Sequence, residues 1–225
     1  MRAVIFDFDG VLVNSEPLHF RALRDCLRPE GIEIDEVEYQ RNYLAYDDRE
    51  SIRIALERHG VAWDGERMES LALRKAALFE VLLREVPFFP GAKELVGDLA
   101  GEVPLAIASG ARREEIEKML EAGGIRDAFA AIVGADDVAR SKPSPEPYLA
   151  ALERLRRVSP GLQPADCVAL EDSMPGIASA QAAGMKVVGV AHTYPPAKLS
   201  AADLVVESIR HLSSEDLRAL FRSAA

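Results

Sequence analysis

Cysteine is scarce: Cys26 and Cys167 are the two thiols in 225 residues. They lie far apart and form no metal-ligand spacing, so two reduced thiols in a cytoplasmic protein are expected. There is no run of about eighteen apolar residues, and a membrane span is therefore not expected. The opening MRAVIFDFDG has one Arg and then acids inside its apolar run. It has neither the longer apolar stretch nor the small-residue cleavage site of a signal peptide. Basic residues are outnumbered, 27 Lys and Arg against 37 Asp and Glu, for a net charge of −10. The short basic runs Arg112-Arg113 and Arg154 with Arg156-Arg157 sit among acids and apolar residues in helical patterns and read as solvated faces. Nucleic acid is not expected as a partner, because no basic stripe offsets the excess acid. An anionic ligand would need local positive charge or a metal.

What the chain does contain is a core. Hydrophobic residues make up 48% and charged residues 28%, which suits one large soluble domain or two unequal ones. Short apolar runs at Ala3–Phe6, Val103–Ala108, Ala130–Val133, Cys167–Leu170, Lys186–Val190 and Asp203–Val206 read as strands. Helical patterns lie between most of them, at Arg112–Ala122, Glu146–Arg156 and Pro175–Ala183. Such alternation predicts a Rossmann-like α/β core, a parallel sheet with helices on both faces, because parallel strands need long crossovers. Residues 15–88 break the alternation with amphipathic helices at about Glu16–Leu27, Asp48–Arg58 and Glu66–Arg84. They read as an inserted all-helical domain, with 1–14 and 89–225 as the core and hinges near Asn14–Pro17 and Val86–Gly91. No repeats appear, a monomer is expected with a dimer as the alternative, and the terminal Ser223-Ala224-Ala225 is expected to fray.

Ligands of open parallel sheets bind beyond the carboxyl ends of the strands. The residues following four predicted strands are Asp7 and Asp9, Ser109 and Gly110, Lys142 in a loop, and Glu171 with Asp172. Three of these places offer carboxylate or ammonium groups, and the fourth a hydroxyl beside a glycine. Together they describe a hard-metal site with phosphate-binding partners. A phosphoryl group must have its charge neutralised before a carboxylate attacks it, and a cation with oxygen ligands does this. Asp7 and Asp172 are the natural ligand pair for Mg²⁺, and Lys142 offsets the remaining negative charge. Ser109 and the Gly110 amide are placed to donate to phosphate at a helix start. Asp9 is left to protonate a leaving oxygen and then activate water. Any one of these segments alone is an ordinary turn or cap; the order of all four carries the reading.

The same segments resemble the haloacid dehalogenase superfamily of phosphotransferases, and most closely its β-phosphoglucomutase-like phosphatases. DFDGVLVNSEPLH resembles the first motif, IASG the second, SKPSPEPY the third and LEDSMPGIASAQAAGM the fourth. The resemblance spans nearly the whole chain. It implies an aspartyl-phosphate on Asp7, acid–base work by Asp9, and Mg²⁺ held by Asp7, the Asp9 carbonyl and Asp172. Glu171 would be an outer support or an occasional ligand. Residues 15–88 would be a helical cap that closes to exclude water. In that cap, His19 would help to position Asp9, while Arg49 and Lys75 would grip a distal phosphate. The loop Tyr43–Ser51 reads Ala45-Tyr46 where relatives often carry Gly, so Tyr46, Asp47 and Asp48 imply a more polar and crowded pocket. Asp9 argues against dehalogenation, and the absence of lysine from that loop argues against phosphonate cleavage. The expected substrate is a small phosphorylated metabolite, such as a sugar or polyol phosphate, that is hydrolysed. A sugar phosphomutase is the alternative, and a non-catalytic phosphometabolite-binding module a minor one.

Overall fold

The structure, a computed structural model, describes residues 1–44, 46–83 and 87–222. Ala45 of the expected pocket loop, Arg84 at the end of a predicted helix, Val86 of the second hinge and the tail Ser223–Ala225 lie outside the described residues. The chain divides into two compact units, Met1–Asn14 with Pro87–Ala225, and Ser15–Val86.

Six strands form one parallel sheet: β1 (Ala3–Phe6), β2 (Leu105–Ala108), β3 (Phe129–Val133), β4 (Cys167–Glu171), β5 (Lys186–Val190) and β6 (Leu204–Val206), in the order β3-β2-β1-β4-β5-β6. β1 is buried throughout, as a strand covered on both faces must be. Its register sets Val4 against Leu105 on one side and Val168 on the other. The strand order reverses at β1, so the segments leaving β1, β2 and β4 emerge side by side at the carboxyl edge. β2 starts two residues later than the apolar run suggests. Pro104 has no N–H for the ladder, and only its carbonyl takes part, accepting from Val4 (3.3 Å).

The helical unit contains α1 (Glu16–Leu27), α2 (Glu36–Asn42), α3 (Asp48–Arg58) and α4 (Gly65–Leu82). Asp35, Asp47 and Asp64 cap the last three, accepting from the amides of Glu38, Glu50 and Arg67 at 2.7, 2.9 and 2.8 Å. Each such cap contributes roughly 1 kcal/mol. The unit has its own core, in which Leu23, Leu27, Tyr39, Ile52, Leu56 and Leu71 pack together. α2 went unpredicted because Tyr39 is its one buried side chain, too little to show a stripe. The signal it did carry was Asp35 followed three residues on by Glu38.

The α/β unit adds α5 (Ala92–Ala100), α6 (Arg113–Gly123), α7 (Glu146–Leu155), α8 (Met174–Ala182) and the short α9 (Ser214–Ala219). Tyr148, Leu152 and Leu155 of α7 and Ile177 and Ala180 of α8 pack on the sheet face made by Ala3, Ile5, Ala106 and Ala169. The unit boundary falls two residues earlier than the expected 88/89. Asn14 donates to the Pro87 carbonyl (2.9 Å), and Val13 bridges Phe88. The Phe88 ring also occupies the space a Cβ on Gly123 would need. Among the described residues, no helix is long and apolar enough to cross a membrane.

Candidate active site

Asp7 follows β1 directly, and its amide donates to Leu170 of the neighbouring strand (2.9 Å). Its Oδ1 accepts from the Phe8 amide at 2.7 Å and lies 2.9 Å from Lys142 Nζ. The same ammonium reaches Glu171 Oε1 at 2.5 Å. Lys142 thus bridges two carboxylates that leave adjacent strands, and the Tyr148 ring lies under it with Nζ 5.3 Å from the centroid.

Glu171 is fully buried, and both of its oxygens are engaged. Oε1 accepts from Lys142 and from the Tyr148 hydroxyl (2.9 Å). Oε2 accepts from the amides of Asp172 and Ser173 (3.1 and 3.2 Å) and from the Ser173 hydroxyl (3.0 Å). Ser173 also caps α8 through the Gly176 amide. Gly176 is small of necessity: a Cβ there would fall 1.9 Å from the Glu171 carboxylate.

Asp7, Glu171 and Asp172 each place a carboxylate oxygen within 4.8 Å of the others. One ammonium therefore faces three carboxylates. Burial, followed by the charge of Glu171, pushes Asp7 well above the usual carboxylate range, although Lys142 pulls the other way. Burial likewise lifts Asp172 to about 6 against the hydrogen bond from Thr193. Burial works against the charge on Lys142, but Asp7 and then Glu171 outweigh it and raise its pKa. An excess of hard oxygen donors with uncompensated negative charge is the chemistry that suits a divalent cation such as Mg²⁺.

The turn after Asp7 is fixed by close contacts. Gly10 has φ 79°, and a Cβ there would lie 2.0 Å from Asp172 Oδ2 and 2.8 Å from Thr193 Oγ1. Its amide donates to Val13 (2.8 Å), and its carbonyl meets His192 Nδ1 at 2.9 Å. Asp9 is half-buried in this turn, where its backbone bridges Val13. Its side chain is not one of the three clustered carboxylates. Ser109 follows β2, its hydroxyl accepts from the Ala111 amide (3.0 Å), and with Gly110 and Lys142 it lines a cavity of about 190 Å³. The edge thus brings together Asp7, Lys142, Glu171 and Asp172, with Ser109 and Gly110 beside Lys142.

The expected pocket residues of the helical unit present a different picture. Lys75 is buried, 2.9 Å from His19 Nδ1 and 2.5 Å from Asp48 Oδ1. His19 stacks on Phe79, and burial and then Lys75 lower its pKa to about 4, so it is neutral near pH 7. Arg49 pairs with Glu69, Asp47 serves as the α3 cap, and Tyr46 is exposed. Each cation expected to grip a distal phosphate thus faces a carboxylate of its own unit. His19, Tyr46 and Lys75 line one cavity of about 110 Å³ with Glu16, Tyr39 and Asp48.

Sequence reading passed over Tyr148, Gly176, His192 and Thr193. Tyr148 sat in the apolar stripe of α7, where its hydroxyl gave no pattern. His192 and Thr193 follow β5, and inspecting that strand end would have found them.

Residues 4–190 match the family model described as haloacid dehalogenase-like hydrolase. The chain belongs to that family. It is 34% identical over 224 residues to hexitol phosphatase B of Escherichia coli (strain K12), covering 96% of both chains. It is 31% identical over 223 residues to the bifunctional riboflavin kinase/FMN phosphatase of Arabidopsis thaliana, covering 94% of this chain but 54% of that relative's length. Among solved structures, it resembles β-phosphoglucomutase of Clostridium difficile, with a TM-score of 0.77 and 26% identity over 98% of this chain and 97% of the other.

Proposed function

We propose that the protein is a Mg²⁺-dependent phosphatase that hydrolyses a small phosphorylated metabolite, a sugar or polyol phosphate, through an aspartyl-phosphate on Asp7. The observation that carries this reading is the Lys142 ammonium, 2.9 Å from Asp7 and 2.5 Å from Glu171 at the carboxyl edge of the sheet. It offers the buried Asp7 carboxylate a counter-charge that opposes the rise in its pKa, and a carboxylate nucleophile needs such a partner. Asp7, Asp172 and the Asp9 carbonyl would hold the cation, whose charge would neutralise the phosphoryl oxygens. We assign Glu171, whose oxygens already accept five hydrogen bonds, to positioning Lys142 and Asp172.

In the first step an Asp7 oxygen attacks phosphorus, the ester P–O bond breaks, and Asp9 gives its proton to the departing alkoxide. In the second step Asp9 takes a proton from water, whose oxygen attacks phosphorus, and the bond to Asp7 breaks to release phosphate. Ser109, the Gly110 amide and Lys142 bind the transferred group. Selection of the alcohol part is assigned to the helical unit, with His19, Tyr46, Asp47, Arg49 and Lys75 as candidates. The names of the relatives support this substrate class, hexitol phosphatase B above all.

The likeness to a β-phosphoglucomutase supports a second reading, in which a sugar hydroxyl replaces water. A Mg²⁺-dependent phosphate-release screen over sugar, polyol and nucleotide phosphates, run beside a mutase assay with a bisphosphate activator, separates the two. Wild-type protein no better than Asp7→Ala in both assays would sink both.

A further inference from the structure

The segment after β5 holds the turn that carries the proposed acid–base residue. The protonation of His192 follows from its neighbours. Its Nε2 receives the Ile209 amide at 3.2 Å, and an amide N–H can only donate. Its Nδ1 meets the Gly10 carbonyl at 2.9 Å, and a carbonyl can only accept. Nε2 is therefore bare and Nδ1 carries the hydrogen. The Ser208 hydroxyl, 3.2 Å from Nε2, adds a second donor on the same side. Phe89 stacks on the ring at 3.8 Å and is itself tied to the turn, its amide donating to Leu12 (2.9 Å). Gly10 is thus held at both ends, by Val13 at its amide and by His192 at its carbonyl. The peptide leaving Asp9 has one orientation.

We propose that His192 is a positioning residue: its Nδ1–H, by fixing the Gly10 carbonyl, aims Asp9 at the leaving-group oxygen. The proposal rests on the role of Asp9 given above. It separates the two sides of the ring. Nδ1 serves the reaction through Gly10, whereas Nε2 serves the fold through Ser208 and Ile209.

Two variants test each side alone. His192→Asn places an N–H where Nδ1 stands and loses the link to Ile209; His192→Gln reaches the position of Nε2 and loses the link to Gly10. Each is assayed with Mg²⁺ on sorbitol monophosphate, whose alkoxide must be protonated to leave, and on para-nitrophenyl phosphate, whose phenolate leaves unaided. Thermal midpoints are measured in parallel. Misaiming Asp9 is expected to lower kcat/KM of His192→Gln on the sorbitol ester on the order of 10- to 100-fold. On the nitrophenyl ester kcat/KM of the same variant should stay within about threefold of wild type, since acid catalysis contributes little to departure of the phenolate and the later water step does not enter kcat/KM. His192→Asn should keep kcat/KM on both esters while its thermal midpoint falls below that of His192→Gln. Equal losses for the two variants, or equal losses on the two esters, would overturn the proposal while wild-type turnover kept the phosphatase reading. Wild-type protein no better than Asp7→Ala on either ester would remove that reading and the proposal with it.

Discussion

Replacing Gly176 with alanine sets helix propensity against packing, and the structure decides the sign. Alanine is favoured over glycine in a helix interior by about 1 kcal/mol, so propensity alone predicts a more stable protein. The new methyl group, however, would lie 1.9 Å from the Glu171 carboxylate carbon and Oε1, and 2.0 Å from Oε2. Reaching ordinary contact requires a retreat of about 1.5 Å. Glu171 is fully buried, and Lys142, Tyr148, Ser173 and two backbone amides grip it. A shift of that size breaks at least two of these hydrogen bonds. A bond to a charged group contributes about 1.5–3 kcal/mol. After the propensity gain is subtracted, Gly176→Ala should destabilise the α/β unit by about 2–5 kcal/mol. For a chain of this size that lowers the thermal midpoint by roughly 4–20 °C. Circular dichroism melts of wild type and variant, with and without Mg²⁺, measure it, and phosphate release should fall because Lys142 loses one of its two carboxylate partners. A midpoint equal to or above wild type would show that the carboxylate is not held as described.

Asp137 joins two arginines outside the site, accepting from Arg113, from Arg154 Nη2 (2.8 Å) and from the Gly134 amide (3.0 Å). Asp137→Ala removes the shared acceptor of two guanidinium groups that keep access to water, and should cost about 1.5–3 kcal/mol in urea unfolding; a loss under about 0.5 kcal/mol would refute this. Tyr148→Phe removes one of the Glu171 donors (2.9 Å) and keeps the ring, so a loss of about 1–2 kcal/mol with measurable turnover is expected. The pKa of His19 falls from the usual 6.5 to about 4 on folding, so the unfolded chain binds more protons between those values. The share of stability that rests on His19 should drop as pH falls from about 6.5 towards 4, while Asp7 and Asp172, whose pKa values rise on folding, work the other way; the difference between wild type and His19→Gln in urea midpoints taken across the range isolates the His19 share. A difference that does not vary with pH would mean that His19 is not buried as described.

The sheet was legible because its strands are unbroken apolar runs ending in polar residues, the mark of strands buried on both faces. Asp7, Ser109 and the Glu171-Asp172 pair were legible for the same reason, since each stands where a run stops. Lys142 lies nine residues beyond Val133, the end of β3, and no local pattern singled it out; only its company did. What stayed hidden shares another cause. Tyr148 and Gly176 act through contacts across about twenty and five residues to Glu171, and neither helical periodicity nor capping rules encode a partner at that distance. Tyr148 even fits its helix as an apolar residue, so the pattern that located α7 concealed the hydroxyl. In the helical unit the types were read but the pairings were not: Arg49 and Lys75 are cations in the sequence, yet Glu69 and Asp48 neutralise them in the fold. A charge read from sequence says what a residue carries. Whether that charge is available to a ligand depends on the carboxylate beside it, and in this unit that carboxylate comes from a different helix each time: Asp48 of α3 for Lys75 of α4, and Glu69 of α4 for Arg49 of α3.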